Sequence, residues 1–181
     1  MPILVISTSL KPASRSRVLA REAHRVARDF GEAGFLDLRD HPLPLADGAT
    51  FNLPAVEALA AAIRGASAIL LAAPVYNFDL NAAAKNLIEH TGKAWEDKVV
   101  GFLLAAGAQR SYMAAQSFAG SLALDFRSVV VPRFVYAVRE DVSPERILSD
   151  DITHRVAELV RATDRLAKAL VPAPAAATVA I

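Results

Sequence analysis

The sequence predicts an α/β protein, a three-layer α/β/α sandwich built on a five-stranded parallel sheet. Three observations carry this. The runs Ile3-Leu4-Val5-Ile6, Ala68-Ile69-Leu70-Leu71-Ala72 and Val99-Val100-Gly101-Phe102-Leu103-Leu104 are strand-sized and apolar without alternation, as strands covered on both faces are. Segments of helical apolar spacing lie between them. Strand and helix patterns alternate along the whole chain, the order that parallel strands with crossover helices require.

Ile3 to Ile6 is the first strand. The segment Ser7 to Arg17 opens a helix from about Arg17 to Phe30, whose apolar stripe is Val18, Leu19, Ala23, Val26, Ala27 and Phe30. Gly31 and Gly34 then precede a short second strand at Phe35-Leu36-Asp37-Leu38. Arg39 to Phe51 is broken by Pro42 and Pro44 and cannot be regular structure. Such an excursion covers a site or meets a partner subunit. A helix follows from Asn52 to Ile63, then the third strand at Ala68 to Ala72, and a loop from Pro74 to Asn81. The helix Ala82 to His90 ends at Gly92, and Lys98 to Leu104 is the fourth strand. The loop Ala105 to Tyr112 leads to a helix from about Met113 to Leu124. Arg127 to Val131 is the fifth strand, with Arg133 to Val138 extending it or lying along the sheet edge. The last helix runs from about Ser149 to Leu170. These elements give one domain over residues 1–171, in flavodoxin-like order 2-1-3-4-5, and a flexible tail at 172–181.

Composition removes several classes of chemistry. With 181 residues the chain holds one well-buried core. It contains no cysteine, which excludes disulfides, thiolate catalysis and thiolate-ligated metals. Redox chemistry here needs a cofactor. The net charge of +1 gives no nucleic-acid footprint. No run approaches the roughly 20 apolar residues of a membrane span. The N-terminal residues do not read as a secretory signal, so the expected compartment is the cytoplasm. His24, His41, His90 and His154 are scattered without ligand spacing, so no metal is expected, and no catalytic acid or base stands out. Neither G-x-G-x-x-G after the first strand nor G-x-x-x-x-G-K-[ST] occurs.

The candidate site residues sit where open α/β sheets bind ligands, beyond the carboxyl ends of strands. Ser9, Ser14 and Ser16 with Lys11, Arg15 or Arg17 surround a helix N-terminus and can hold one phosphate. A serine cap with solvated bases uses the same residues. In the loop after the third strand, Tyr76 and Phe78 offer flat apolar faces and Asn77 hydrogen-bonding groups, which suits a planar heterocycle. The same loop reads equally as a plain turn covering core. Gly107 admits close backbone approach, and Gln109 and Arg110 can donate to carbonyl oxygens.

Ser9-Leu10-Lys11-Pro12-Ala13-Ser14-Arg15-Ser16-Arg17 resembles the G-S-x-R-x-x-S-x-N-R segment of the NADPH-dependent FMN reductases. Pro74-Val75-Tyr76-Asn77 through Ala84-Lys85-Asn86-Leu87-Ile88-Glu89 is similar to their P-E-Y-N-x-S-x-P-G-x-L-K-N-x-I-D. The resemblance reaches about Val131. It implies that Ser9, Lys11, Ser14 and Ser16 hold the FMN phosphate with Arg15 adjacent, that Pro74, Val75, Tyr76, Asn77 and Phe78 line the isoalloxazine, and that Gly107 belongs to the third wall. Arg110 and Tyr112 are expected near the open face as substrate-binding residues. Hydride would pass from NADPH or NADH to FMN and on to a small-molecule acceptor such as free flavin or a quinone. The resemblance also implies a homodimer or homotetramer, with Phe51, Phe78 and Leu80 as interface candidates. Thr8 stands for the family glycine, Val75 for the glutamate, Asp79 for the serine, and Asn81-Ala82 for the proline and glycine. Rival readings are a flavodoxin-like electron carrier, against which the +1 charge speaks, and a non-enzymatic interaction domain with a degenerate flavin site.

Overall fold

The sheet is built outward from the two most apolar strands. The structure, a computed structural model, describes residues 2–49 and 53–170. β1 (Ile3–Ser7) pairs in parallel with β2 (Ala33–Asp37) on one side and β3 (Ala68–Tyr76) on the other. β3 pairs in parallel with β5 (Val99–Ala105), from Ala68 opposite Val99 to Pro74 opposite Ala105. The order is β2-β1-β3-β5 and then the strand at Val129–Val130, the predicted 2-1-3-4-5 once the two-residue β4 (Asp79–Leu80) is set aside. The predicted fifth strand is broken: β6 (Val129–Val130) and β7 (Val135–Ala137) pair separately with β5. Pro132 cannot donate to the ladder and Arg133 turns to φ 63°, so pairing lapses between them.

Helices cover both faces because every residue of β1 and β5 is buried. α1 (Arg15–Ala27) and α5 (Asp150–Ala169) pack with Ile3, Val5, Leu70, Ala72 and Leu103. α2 (Pro54–Gly65), α3 (Ala82–Thr91) and α4 (Gln116–Phe126) pack with Leu4, Ile6, Leu71 and Phe102 on the other face. Gly101 lets α5 approach: a Cβ there would stand 2.9 Å from Leu70 Cδ2 and 3.1 Å from Leu159 Cδ1. α5 begins at Ser149, whose hydroxyl accepts from Ile152 N, with Asp150 and Asp151 in its first turn against the positive helix end.

Several boundaries differ from expectation for local reasons. α1 starts at Arg15, two residues before the predicted Arg17, because Ser14 takes the cap position. Residues 109–115 form a 3₁₀ segment before α4 rather than an α-helix from Met113. β3 runs on to Tyr76, through the residues expected to form a loop. β1 ends at Ser7, opposite Ala72, so beyond that point β3 is an edge on this side. Pro74 therefore leaves no ladder partner wanting there. Met1, Phe51, the predicted helix start at Asn52 and the tail at 172–181 lie outside the described residues. Among the described residues no helix is long and apolar enough to cross a membrane.

Candidate functional site

The segment after β1 is drawn over the N-terminus of α1. Ser9, Ser14 and Ser16 are buried there, while Lys11 is exposed. Ser14 Oγ accepts from Arg17 N at 3.3 Å and lies 3.0 Å from Ser16 Oγ. Whichever of the two hydroxyls donates to the other, one hydroxyl proton is left over. Arg15 adds a second spare donor, since its Nη1 is buried without a partner. No acidic residue occupies the first turn of α1, so nothing of the chain's own neutralises this end. Spare donors beside a helix N-terminus are of the kind from which an anion accepts. Ser7 Oγ is also buried without a partner, at the last residue of β1.

Arg17, a candidate phosphate holder from sequence, does something else. It is 4% exposed, and its Nε donates to Asp37 Oδ2 at 2.6 Å while Nη2 reaches Asp37 Oδ1 at 3.4 Å. Nη1 donates to the carbonyls of Lys11 and Pro12 at 3.0 and 2.8 Å, and Nη2 to that of Ser9 at 2.8 Å. Its donors are used up bracing the loop from beneath. Burial by itself raises the Asp37 pKa, but hydrogen bonds from Arg17, the Arg39 amide and the Arg39 side chain outweigh it and hold the carboxyl below its usual range. Sequence gave no sign of Asp37, because its partner lies 20 residues away.

The ring-side wall is a two-residue hairpin. Val75 pairs with Leu80 and Tyr76 with Asp79, leaving Asn77 and Phe78 as the turn, at φ 51° and 65°. Both signs match a tight hairpin turn that favours Asn followed by Gly. Phe at the second position is strained by about 1–2 kcal/mol. Phe78 is 67% and Tyr76 53% exposed, so the apolar faces point outward. Pro74 is buried, and Val75 turns its side chain into the core, so what these two present to a ligand is backbone. Leu80, an expected interface residue, is instead buried in the same core. Phe78→Gly is expected to raise stability by about 1 kcal/mol, seen as a higher urea midpoint. An unchanged midpoint would mean that packing of the ring offsets the strain.

The third wall follows β5. Gly107 and Arg110 are exposed, and a Cβ on Gly107 would meet nothing within 4 Å. The Tyr112 ring lies 5.0 Å from that of Phe134 and 5.5 Å from that of Tyr136, whose hydroxyl donates to Ala108 O at 2.6 Å. Tyr112 is thus a fixed, 43% exposed face. Phe134 and Tyr136 were not signalled by the sequence, since they come from the broken edge strand. The 109–115 segment also lies against β4, so the second and third walls meet.

The excursion after β2 is strapped to α3. Asn86 Nδ2 donates to Pro44 O at 2.8 Å and Asn86 Oδ1 accepts from Ala46 N at 2.9 Å, while His90 Nε2 lies 2.9 Å from Pro44 O. An apolar hollow of about 480 Å3 is left between Leu10, Leu38, Leu43 and Ala83. A larger concavity of about 600 Å3, among Arg133, Asp151, Arg155 and Glu158, sits at the side of α5 and has the mixed charge of a solvated helix face. Among the described residues no group of three His, Asp or Glu could hold a metal ion.

Comparison with known proteins gives the family and the fold. The sequence model of a family described as NADPH-dependent FMN reductase matches residues 1–142. The probable NADPH:quinone oxidoreductase 2 of Oryza sativa subsp. japonica is 30% identical over 116 residues, 58% of this chain and 56% of that protein, so the match spans little more than half the relative's length. An oxidoreductase from Corynebacterium diphtheriae superposes with a TM-score of 0.76 at 18% identity, covering 94% of this chain and 98% of the other. FerB, a flavoenzyme NAD(P)H:(acceptor) oxidoreductase from Paracoccus denitrificans, superposes with a TM-score of 0.74 at 19% identity, covering 93% and 97%. At such identities the superpositions speak to the fold.

Proposed function

This chain belongs to the family of NADPH-dependent FMN reductases, and from that premise we propose that it is a flavin-dependent reductase passing hydride from NADPH or NADH, by way of FMN, to a small acceptor such as free flavin or a quinone. The observation that carries the reading is the unused donor set at the α1 N-terminus, Arg15 Nη1 with the Ser14–Ser16 pair, after β1, while the exposed rings of Tyr76 and Phe78 end the neighbouring parallel strand β3. One end suits a phosphate and the other a planar ring, which is the chemistry of FMN.

On this reading Ser9, Lys11, Ser14, Arg15 and Ser16 hold the phosphate. The backbone of Pro74 and Val75, with Tyr76, Asn77 and Phe78, lines the isoalloxazine, and Gly107 gives the third wall close backbone approach. FMN, when bound, supplies the two-electron chemistry that no side chain here provides. The chain's own residues position rings: Tyr112, held by Phe134 and Tyr136, and Arg110 border the open face where a nicotinamide or acceptor stacks in turn. A site that must admit two ligands successively stays open, in keeping with the exposure of Tyr76, Phe78 and Tyr112. The exposure of Leu10, Phe78 and Met113 supports a homodimer or homotetramer in which a second copy covers part of this apolar surface.

The test is an absorbance spectrum of the purified protein with FMN, taken before and after anaerobic addition of NADPH and then NADH. Bound flavin is expected to bleach and to reoxidise on adding a quinone. Flavin that binds and stays oxidised with both donors would point instead to an electron carrier, and failure to bind FMN would overturn the reading.

A further inference from the structure

Thr8 and Asn81, which stand where the motifs resembled above have a glycine and a proline, meet in space: they are 73 residues apart in sequence and both are buried. Thr8 Oγ1 donates to Asn81 Oδ1 at 2.7 Å, and Asn81 Nδ2 donates back to Thr8 O at 2.9 Å. The same hydroxyl lies 3.1 Å from Ala72 O, the carbonyl that accepts from Thr8 N at 2.9 Å. Glycine and proline could make neither side-chain bond.

Asn81 is drawn away from another role. It is the N-cap residue of α3, a position where Asn side chains ordinarily accept from the first-turn amides. Here its side chain makes no such bond. Its backbone still does local work, the amide donating to Pro74 O at 3.2 Å and the carbonyl accepting from Ala84 N at 2.9 Å. The side chain reaches across to Thr8 instead.

Thr8 is the residue before Ser9, where the phosphate-side wall begins, and Asn81 follows β4, where the ring-side hairpin ends. A ligand with a group for each wall gains from being bivalent only when the walls are held at its own span. We propose that the Thr8–Asn81 pair is a positioning device that fixes the spacing of the two walls and so sets this chain's preference for FMN over riboflavin. Riboflavin carries the ring without the phosphate and engages one wall only. The inference rests on the flavin reading above.

Titrations of FMN and of riboflavin, with thermal melts, on wild type, Thr8→Val, Thr8→Ser and Asn81→Leu test it. Thr8→Val and Asn81→Leu are expected to raise the FMN Kd about tenfold and to leave riboflavin binding unmoved beyond about twofold, the scatter one solvated contact produces. Thr8→Ser, which restores the hydroxyl, should return FMN binding to the wild-type value. An unchanged FMN Kd, or FMN and riboflavin weakening in parallel with the melting temperature, would overturn the proposal and leave the flavin reading standing. Wild type that binds neither flavin would remove both. Should a single variant fail to fold, the Thr8→Val/Asn81→Leu double variant, which removes both ends of the Oγ1–Oδ1 bond and strands only the Thr8 carbonyl that Asn81 Nδ2 served, carries the same comparison.

Discussion

Arg17→Ala is expected to lower folding stability by about 3–5 kcal/mol, the effect of breaking a buried ion pair from one side. For a chain of this length that is a fall of roughly 6–20 °C in melting temperature. Arg17 and Asp37 are 5% and 6% exposed as side chains, so removing the guanidinium strands the carboxylate. Arg39 alone would remain beside it, 34% exposed and 3.2 Å away. Ser9 O loses its buried donor as well. Arg17→Lys should recover little, because one ammonium cannot replace a planar fork bonded to Asp37 and three carbonyls. The pH dependence has a definite sign. Asp37 has a folded pKa below its unfolded value of about 3.9, so its contribution is present above that pH and is lost as pH falls through the lower, folded value. The stability gap between wild type and Arg17→Ala, measured by urea unfolding, should therefore narrow below about pH 4. A gap that stays constant to pH 2 would mean that Asp37 is not what Arg17 stabilises.

Arg17 also shows where the sequence could be read and where it could not. The sheet was legible because its strands are short, wholly buried runs, and Ser14 was legible as a cap candidate because capping is local. Which of two arginines two residues apart faces inward was not: helix spacing puts Arg17 over Asp37, and Asp37 becomes visible only when β2 pairs with β1 at Ser7. The hairpin at Asn77-Phe78 escaped notice because its second position lacks the glycine that marks such turns, and Pro74 reads as a strand terminator unless β1 is known to have ended. Thr8 and Asn81 each look like a lost motif residue when taken alone. Only the fold brings the two side chains into contact.

Arg15→Ala should do the opposite of Arg17→Ala: leave stability within about 0.5 kcal/mol of wild type and weaken FMN about 30-fold, the loss of one charge-assisted hydrogen bond to phosphate, about 2 kcal/mol. The two residues occupy the same helical turn. The difference is that every donor direction of Arg17 ends on the chain, whereas Arg15 Nη1 is buried and ends on nothing. A donor that ends on nothing gives the folded chain no bond to lose, so its removal costs the protein little even as it deprives the ligand. Riboflavin affinity should not change, since the phosphate is what Arg15 serves. Thr8→Val also lowers the preference for FMN, but the two variants separate by ionic strength. The phosphate's contacts with exposed Lys11 and half-buried Arg15 are both screened by salt, those of Arg15 less, so wild-type FMN binding weakens from low to high salt, Arg15→Ala makes that slope shallower, and Thr8→Val, which removes no charge, keeps it. A flat slope in wild type, or riboflavin weakening alongside FMN in Arg15→Ala, would show that this cation is not where the phosphate sits.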